Sequence, residues 1–303
     1  MVVGLVPGLV VGLREGVEAA LVVGIVMAYL RKIGQDALRR YVYIGTVAAV
    51  VASVGVAAAF AVFIGEFEET AGGMLFEGFA AILAVVVLTS MIFWMMNAAK
   101  DIRQHVERRI ETLVDRRQVM GLASLAFVAV FREGVETVLF MAGLAGFSTT
   151  ADVTVGVGIG LLAAVFVGYG VFAASWRVNL RRFFQATSLL LIVIAAGLFA
   201  LGVHELQDAG VLPWLSGPTY DLTQTFPDSE ANPLGYLLRG LVGFNDNPTQ
   251  LEVVAYAAYW AFAALVYWGI RTGKIAIVTR PLRAIWAALR RTSRPSPADP
   301  RSE

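Results

Sequence analysis

The chain of 303 residues contains no cysteine and only two histidines. The lack of cysteine excludes disulfides, thiolate metal sites and CxxC redox chemistry. Charge is scarce too: 16% of residues are Asp, Glu, Lys or Arg, where a soluble domain carries about 25%. No Walker A lysine motif is present, so intrinsic ATP hydrolysis has no support. Neither a nucleophile–base pair nor a catalytic metal triad occurs in the apolar segments, which speaks against an intramembrane enzyme. The formal net charge is only +1, so total charge says little about partners; no nucleic-acid partner is expected. What the chain does have is apolar length: 58% hydrophobic residues and a mean hydropathy of +0.70. That composition places it among integral membrane proteins, with the lipid bilayer as its solvent.

Segments of about 20 apolar residues are long enough to span a bilayer. Seven are expected, at about 4–30, 41–65, 73–98, 119–147, 153–176, 184–206 and 251–270. The N-terminal "MVVGLVPGLVVGLREG" lacks a basic n-region and an AxA-type cleavage site, so it reads as the first span. Of the 24 Lys and Arg residues, 21 fall after spans one, three, five and seven. By the positive-inside rule that side is cytoplasmic, with the N-terminus outside and the C-terminus inside. The opposite side is acidic, with Glu66, Glu68, Glu69, Asp152, Asp208, Asp221, Asp228, Glu230 and Asp246. Such a face concentrates cations. The stretch "KDIRQHVERRIETLVDRR" aligns Ile102, Val106, Ile110 and Leu113 on one stripe and is expected to be an amphipathic helix, with His105 on its solvated side. Residues 271–303 form a basic cytoplasmic tail whose Pro-rich end is expected to be disordered.

Against this apolar background the sequence "REGVE" occurs twice, at 14–18 and 132–136. It falls in spans one and four, which run in opposite directions. The expected architecture is therefore two inverted three-helix repeats, about 4–98 and 119–206, followed by the connection 207–250 and a seventh helix. Inverted repeats are a frequent plan of secondary transporters. At 100° per residue, Arg14, Glu15 and Glu18 lie within about a 100° arc, as do Arg132, Glu133 and Glu136. Six such groups facing lipid would cost about 15–20 kcal/mol on insertion scales, so both stripes are expected to face inward. Span one also carries Gly4, Gly8, Gly12, Gly16, Ala20, Gly24 and Ala28, a small-residue ridge suited to close helix packing.

Four glutamates and two arginines leave a formal charge of −2, which calls for a cation or protons. Carboxylate oxygens suit hard cations. The spans offer no thiolate, and His204 is their one imidazole. A buried ion-pair network that only fixes helix register is the structural alternative.

The doubled R-E-x-x-E motif resembles the oxidase-dependent iron transporter family, which includes fungal high-affinity iron permeases and bacterial EfeU-type permeases. "FEGFAAILAVVVLTSMIFWM" from Phe76, "AAGLFALGVHELQDAG" from Ala195 and "NPLGYLLRGLVGFNDNPTQLEVVAYAAYW" from Asn232 carry the same resemblance. It implies a high-affinity permease, not an enzyme, that imports ferric iron across the cytoplasmic membrane. Iron would be the transported substrate, with no permanently bound cofactor. Glu15, Glu18, Glu133 and Glu136 would be the ligands, with Arg14 and Arg132 as charge partners. Glu18 and Glu136, which end the motifs, are the stronger candidates. An extracytoplasmic oxidase or iron-delivery protein would be a separate partner. Transport of Pb²⁺ or Mn²⁺ and a membrane iron sensor are the alternatives.

Further relay candidates lie on the acidic side. Glu77 begins "EGF" in span three, and Glu66 and Glu69 are three apart in "EFEE". His204 and Glu205 stand in "HELQD" at the end of span six. That last motif has Asp208 where a zinc protease has its second histidine, so a zinc-protease reading fails. The connection 207–250 is rich in Pro, Gly and aromatics suited to headgroups, and is expected to be a lid or docking surface.

Overall fold

Each apolar segment of the sequence forms a long helix. The computed structural model describes residues 4–65, 71–98, 110–111, 119–144, 150–172, 179–229 and 231–272. The long helices are α1 (Leu5–Lys32), α2 (Arg39–Gly65), α3 (Ala71–Ala98), α4 (Val119–Leu144), α5 (Thr150–Phe172), α6 (Leu180–Asp208) and α8 (Gln250–Arg271). A short helix, α7 (Pro233–Val242), lies in the connection between α6 and α8. Among the described residues there is no strand, and one isolated bridge joins Pro218 to Thr249. The expected all-helical class therefore holds. Among the described residues, five helices are long and apolar enough to cross a membrane: α2, α3, α5, α6 and α8. Helices α1 and α4 have the length, 28 and 26 residues, but each carries the three ionisable groups of a REGVE motif near its middle.

The amphipathic helix expected over 100–117 lies outside the described residues, His105 included, except for Ile110 and Glu111. Both of these are helical. Ile110 is fully buried with Val26, Leu30, Val42, Leu122 and Ala126. It thus closes the end of the bundle where α1 stops and α2 and α4 begin.

In a bilayer, helices gain little from hiding apolar surface and must associate by close van der Waals packing. The glycines of α1 and α5 provide that approach. A Cβ on Gly8 would sit 2.5 Å from the Val153 carbonyl oxygen, and one on Gly12 would sit 2.9 Å from Val157 Cα. Gly160 packs in return against the backbone of Leu9 and Leu13. Farther along, Gly16 faces Leu161 and Ala164, Ala20 faces Gly168, and Gly24 faces the Phe172 ring. The numbers rise together, so α1 and α5 run parallel along the expected ridge. Helices α2 and α4 are also parallel, with Gly45 against the Ala123 backbone and Gly134 against Ser53. Helices α3 and α6 cross antiparallel where Gly78 meets Gly202 and Leu206. Helix α4 also touches α1 and α3, and Gly143 seats against Ala81, Ala84 and Leu198. The outer faces of α2 and α5 are left apolar, with Val47, Val51, Val54, Leu162, Val165 and Phe166 all exposed.

The connection from α6 to α8 is built, not loose. Asn232 and Pro233 start α7, and Gly243 ends it at φ +71°, a left-handed conformation suited to glycine. A Cβ on Gly197 of α6 would lie 2.6 Å from Gly243 Cα. Gly197 is about 16 Å below Asp208, the end of α6, at 1.5 Å per residue. The connection therefore dips alongside α6 and also touches α1. Its return leg is pinned by Thr219 N–H to the Pro248 carbonyl (2.9 Å) and Gln250 N–H to the Gly217 carbonyl (3.0 Å).

Glu252, 4% exposed, gathers the ends. Its Oε1 accepts from Thr249 N–H (3.0 Å) and pairs with His204 Nδ1 (2.9 Å), while Oε2 accepts from Asn245 Nδ2 (2.9 Å). Glu252 N–H donates back to Thr249 Oγ1 at 3.2 Å, completing a capping box at the start of α8. Near the far side of this segment Tyr259 shares a 2.9 Å hydrogen bond with Thr89 of α3. The chain divides into two units after Tyr259. In the second, the described residues continue α8 to Arg271, and Thr272 closes it on the Trp268 carbonyl at 2.9 Å.

Two predictions follow from this packing. Gly160→Ala lowers stability in detergent by about 1–3 kcal/mol through overpacking, whereas Gly158→Ala on the open face of the same helix, with no neighbour within 4 Å, does not; thermal unfolding of the pair separates the two. Glu252→Ala leaves three half-buried donors without their acceptor and costs about 1–3 kcal/mol, read as faster proteolysis within 209–249 and a lower Tm.

Candidate metal centre

The apolar helices α1 and α4 meet where their charged stripes lie. Arg14 is 0% exposed, Glu15 1%, Glu18 7% and Glu133 6%. Within α1, Arg14 Nη1 donates to Glu15 Oε1 at 2.8 Å, and Nη2 lies 3.2 Å from Glu18 Oε1. That second contact is off the N–H direction, an ion pair without a hydrogen bond. Within α4, Arg132 Nη2 is 2.9 Å from Glu133 Oε1, and Nε is 3.2 Å from Glu136 Oε1. Both motifs therefore fold the same way: an arginine curls along its own helix to reach the next residue and the one a turn later. The first stripe faces inward, as expected. In the second, Glu133 is buried, but the Arg132 side chain is 48% exposed. Thr137 Oγ1 donates to the Glu133 carbonyl at 2.7 Å, which holds this turn of α4.

The carboxylates then converge across the helix pair. One oxygen each from Glu15, Glu133 and Glu136 lies within 4.8 Å of the other two. Among the described residues this is the one grouping of three or more such ligands. Glu15 Oε2, Glu133 Oε2, Glu136 Oε2 and Glu18 Oε1 are buried without a hydrogen-bond donor. Buried anionic oxygens without donors are unfavourable. A hard cation among them would satisfy several at once, and oxygen is the donor type such cations prefer.

The remaining candidates lie elsewhere. Glu66 and Glu69 are outside the described residues. His204 pairs with Glu252 and stands 3.5 Å from Asp208. Glu205 is within electrostatic reach of Glu77, Asp208 and Arg239. These groups form a second cluster where α3 begins and α6 ends, separate from the motif carboxylates. In the adjoining connection, burial raises the Asp228 carboxyl above its ordinary range against the pull of Arg239.

Two residues at the centre carry no sequence signal for their role. Met91 Sδ and Met95 Sδ of α3 accept from Arg14 at 3.2 and 3.3 Å. Methionines one turn apart on an apolar helix read as core. Glu252 was more legible, because Thr249 and Glu252 have capping-box spacing.

Comparison with known proteins gives a consistent picture. The family model described as "Iron permease FTR1 family" matches residues 5–280. An uncharacterized protein of Archaeoglobus fulgidus is 41% identical over 237 residues, 78% of this chain and 81% of its own. The ferrous iron permease EfeU of Yersinia pestis is 33% identical over 258 residues, 84% of this chain and 90% of its own. The putative inactive ferrous iron permease EfeU of Escherichia coli K12 is 32% identical over 251 residues, 82% and 89% of the two chains. No solved structure matches. With a match across nearly all the described helices and relatives above 30% identity over most of both lengths, the chain belongs to the iron permease FTR1 family.

Proposed function

We propose that this permease imports iron as Fe(III) across the cytoplasmic membrane, through the carboxylates of its two R-E-x-x-E motifs. The observation that carries the reading is the convergence of Glu15, Glu133 and Glu136 within 4.8 Å, with buried oxygens that have no donor. Glu18 joins them through its ion pair with Arg14. An all-oxygen, net anionic cluster suits a small, highly charged cation.

The helix pairings support the inverted-repeat plan. Exchanging α1 with α4, α2 with α5 and α3 with α6 converts the α1–α5 contact into the α4–α2 contact. It leaves the α3–α6 and α1–α4 contacts in place. Under that plan α1 and α4 span the membrane with the other five long helices, and their charges are tolerated because they face each other. The N-terminus is outside and the C-terminus inside.

Iron gathers at the acidic outer end, aided by an extracytoplasmic oxidase or delivery protein. It then enters between α1 and α4 and displaces protons or arginine from the carboxylates. Each positive charge moving inward gains about 2.3 kcal/mol per 100 mV of negative interior potential. A proton gradient is the other candidate driving force.

A second reading, Fe(II) as cargo, is favoured by the relatives from Yersinia pestis and Escherichia coli that are named ferrous iron permeases. Uptake of ⁵⁵Fe into proteoliposomes, offered as ferric citrate or reduced with ascorbate, separates the two. Ferric uptake above empty liposomes is expected, with a loss of about tenfold or more in Glu18→Gln plus Glu136→Gln. Uptake from the reduced pool alone would assign Fe(II). Competition by Pb²⁺ or Mn²⁺ at equal concentration would redirect the reading to those metals. Binding without accumulation, under an imposed potential and pH gradient, would overturn autonomous transport and point to a sensor.

A further inference from the structure

The two arginines of the centre are held in unlike ways. Arg14 is wholly buried. Its Nη1 donates to Glu15 Oε1 at 2.8 Å and to Met91 Sδ at 3.2 Å. Its Nη2 donates to Met95 Sδ at 3.3 Å and faces Glu18 at 3.2 Å. Met91 and Met95 stand one turn apart on α3, and each is 6% exposed. The guanidinium is thus clamped between carboxylates on its own helix and thioethers on another. Arg132 is bound to its own carboxylates at similar distances, yet nearly half of its side chain is exposed.

A thioether is a weak acceptor, but it is polarizable and packs like a hydrocarbon. It can touch a buried guanidinium, accept from it and add no charge. A carboxylate there would bring another anion to the centre. A leucine would fill the space and leave two N–H groups facing hydrocarbon.

We propose that Met91 and Met95 are positioning residues that fix Arg14 as the permanent counter-charge of the centre, so that Arg132 is the arginine that withdraws when a cation arrives. The second half of this statement rests on the iron reading above; the seat itself does not. Taken as ionised, four carboxylates with Arg14 in place and Arg132 withdrawn present a formal charge of −3. One trivalent cation balances that charge.

The test is arginine labelling by phenylglyoxal on the full chain in detergent, with adducts at Arg14 and Arg132 quantified by mass spectrometry. Without metal, the wild type should label at Arg132 and stay protected at Arg14. The Met91→Leu plus Met95→Leu variant conserves volume, and its monodispersity and Tm show whether it is folded. It should label Arg14 about tenfold faster than the wild type. Met91→Gln plus Met95→Gln, which restores an uncharged acceptor of similar reach, should return the protection, as a merely space-filling role would not. Ferric citrate should raise labelling at Arg132 severalfold and leave Arg14 protected.

Equal labelling of both arginines in the wild type, or an Arg14 that stays protected in the folded leucine variant, overturns the seat. If the leucine pair does not fold, Met95→Leu alone decides the same point through Nη2. Unchanged Arg132 labelling in ferric citrate, from protein that takes up iron in vesicles, overturns Arg132 as the yielding arginine. Protein that shows the metal-free pattern but neither binds nor takes up iron overturns the iron reading and leaves the seat standing.

Discussion

A charge buried in a helix bundle has to be neutralised by other protein groups, because neither lipid nor packed side chains solvate it. Six ionisable groups sit at the meeting of α1 and α4, four of them buried, and their mutual neutralisation is the constraint on which the arrangement depends. Each arginine serves its own helix first, reaching Glu15 or Glu133 next to it and Glu18 or Glu136 one turn on. That leaves the carboxylates, not the guanidiniums, to face across the helix pair. The centre is consequently anionic where α1 and α4 meet.

That meeting depends on packing elsewhere. Helices α1 and α4 are each braced by a parallel neighbour, α5 and α2, through glycines that let backbones touch. Such contacts fix rotation as well as distance, since only one face of α1 carries the small-residue ridge. With that face given to α5, the stripe of Arg14, Glu15 and Glu18 is aimed away from it. The same sequence period therefore sets both the packing face and the functional face. Helix α3 supplies the third wall, with Met91 and Met95 against Arg14 and Ala81 and Ala84 against Gly143.

Much of this was legible in the sequence, for physical reasons. Long apolar runs can form little but helices in a bilayer, so all seven long helices appear where hydropathy placed them, within a few residues. The REGVE pair and the ridge from Gly4 to Ala28 follow from helical periodicity. What escaped was of another kind. That Met91 and Met95 receive an arginine 77 and 81 residues away depends on the rotation of α3, which its nearly uniform apolar surface does not encode. The exposure of Arg132 is likewise a property of neighbours. Helix α7 was missed because it is short, yet Pro233 at its start and Gly243 at its end are ordinary boundary residues. The stretches holding Glu66, Glu69 and His105 lie outside the described residues.

The contact between Gly197 and Gly243 has a mechanical consequence. Helix α7 touches both α6 and α1, and it is only ten residues long. Its C-terminal end is held by the glycine contact, and the segment that precedes it is held by Asp228 N–H to Asp246 Oδ2 (3.1 Å) and Leu222 N–H to the Asp246 carbonyl (2.7 Å). A sliding of α1 past α6 therefore cannot be absorbed by slack in this segment. It must bend α7, or break the glycine contact and lift it out. The connection thus acts as a strut whose length limits the travel of α1 against α6, and two missing side chains set where that limit lies.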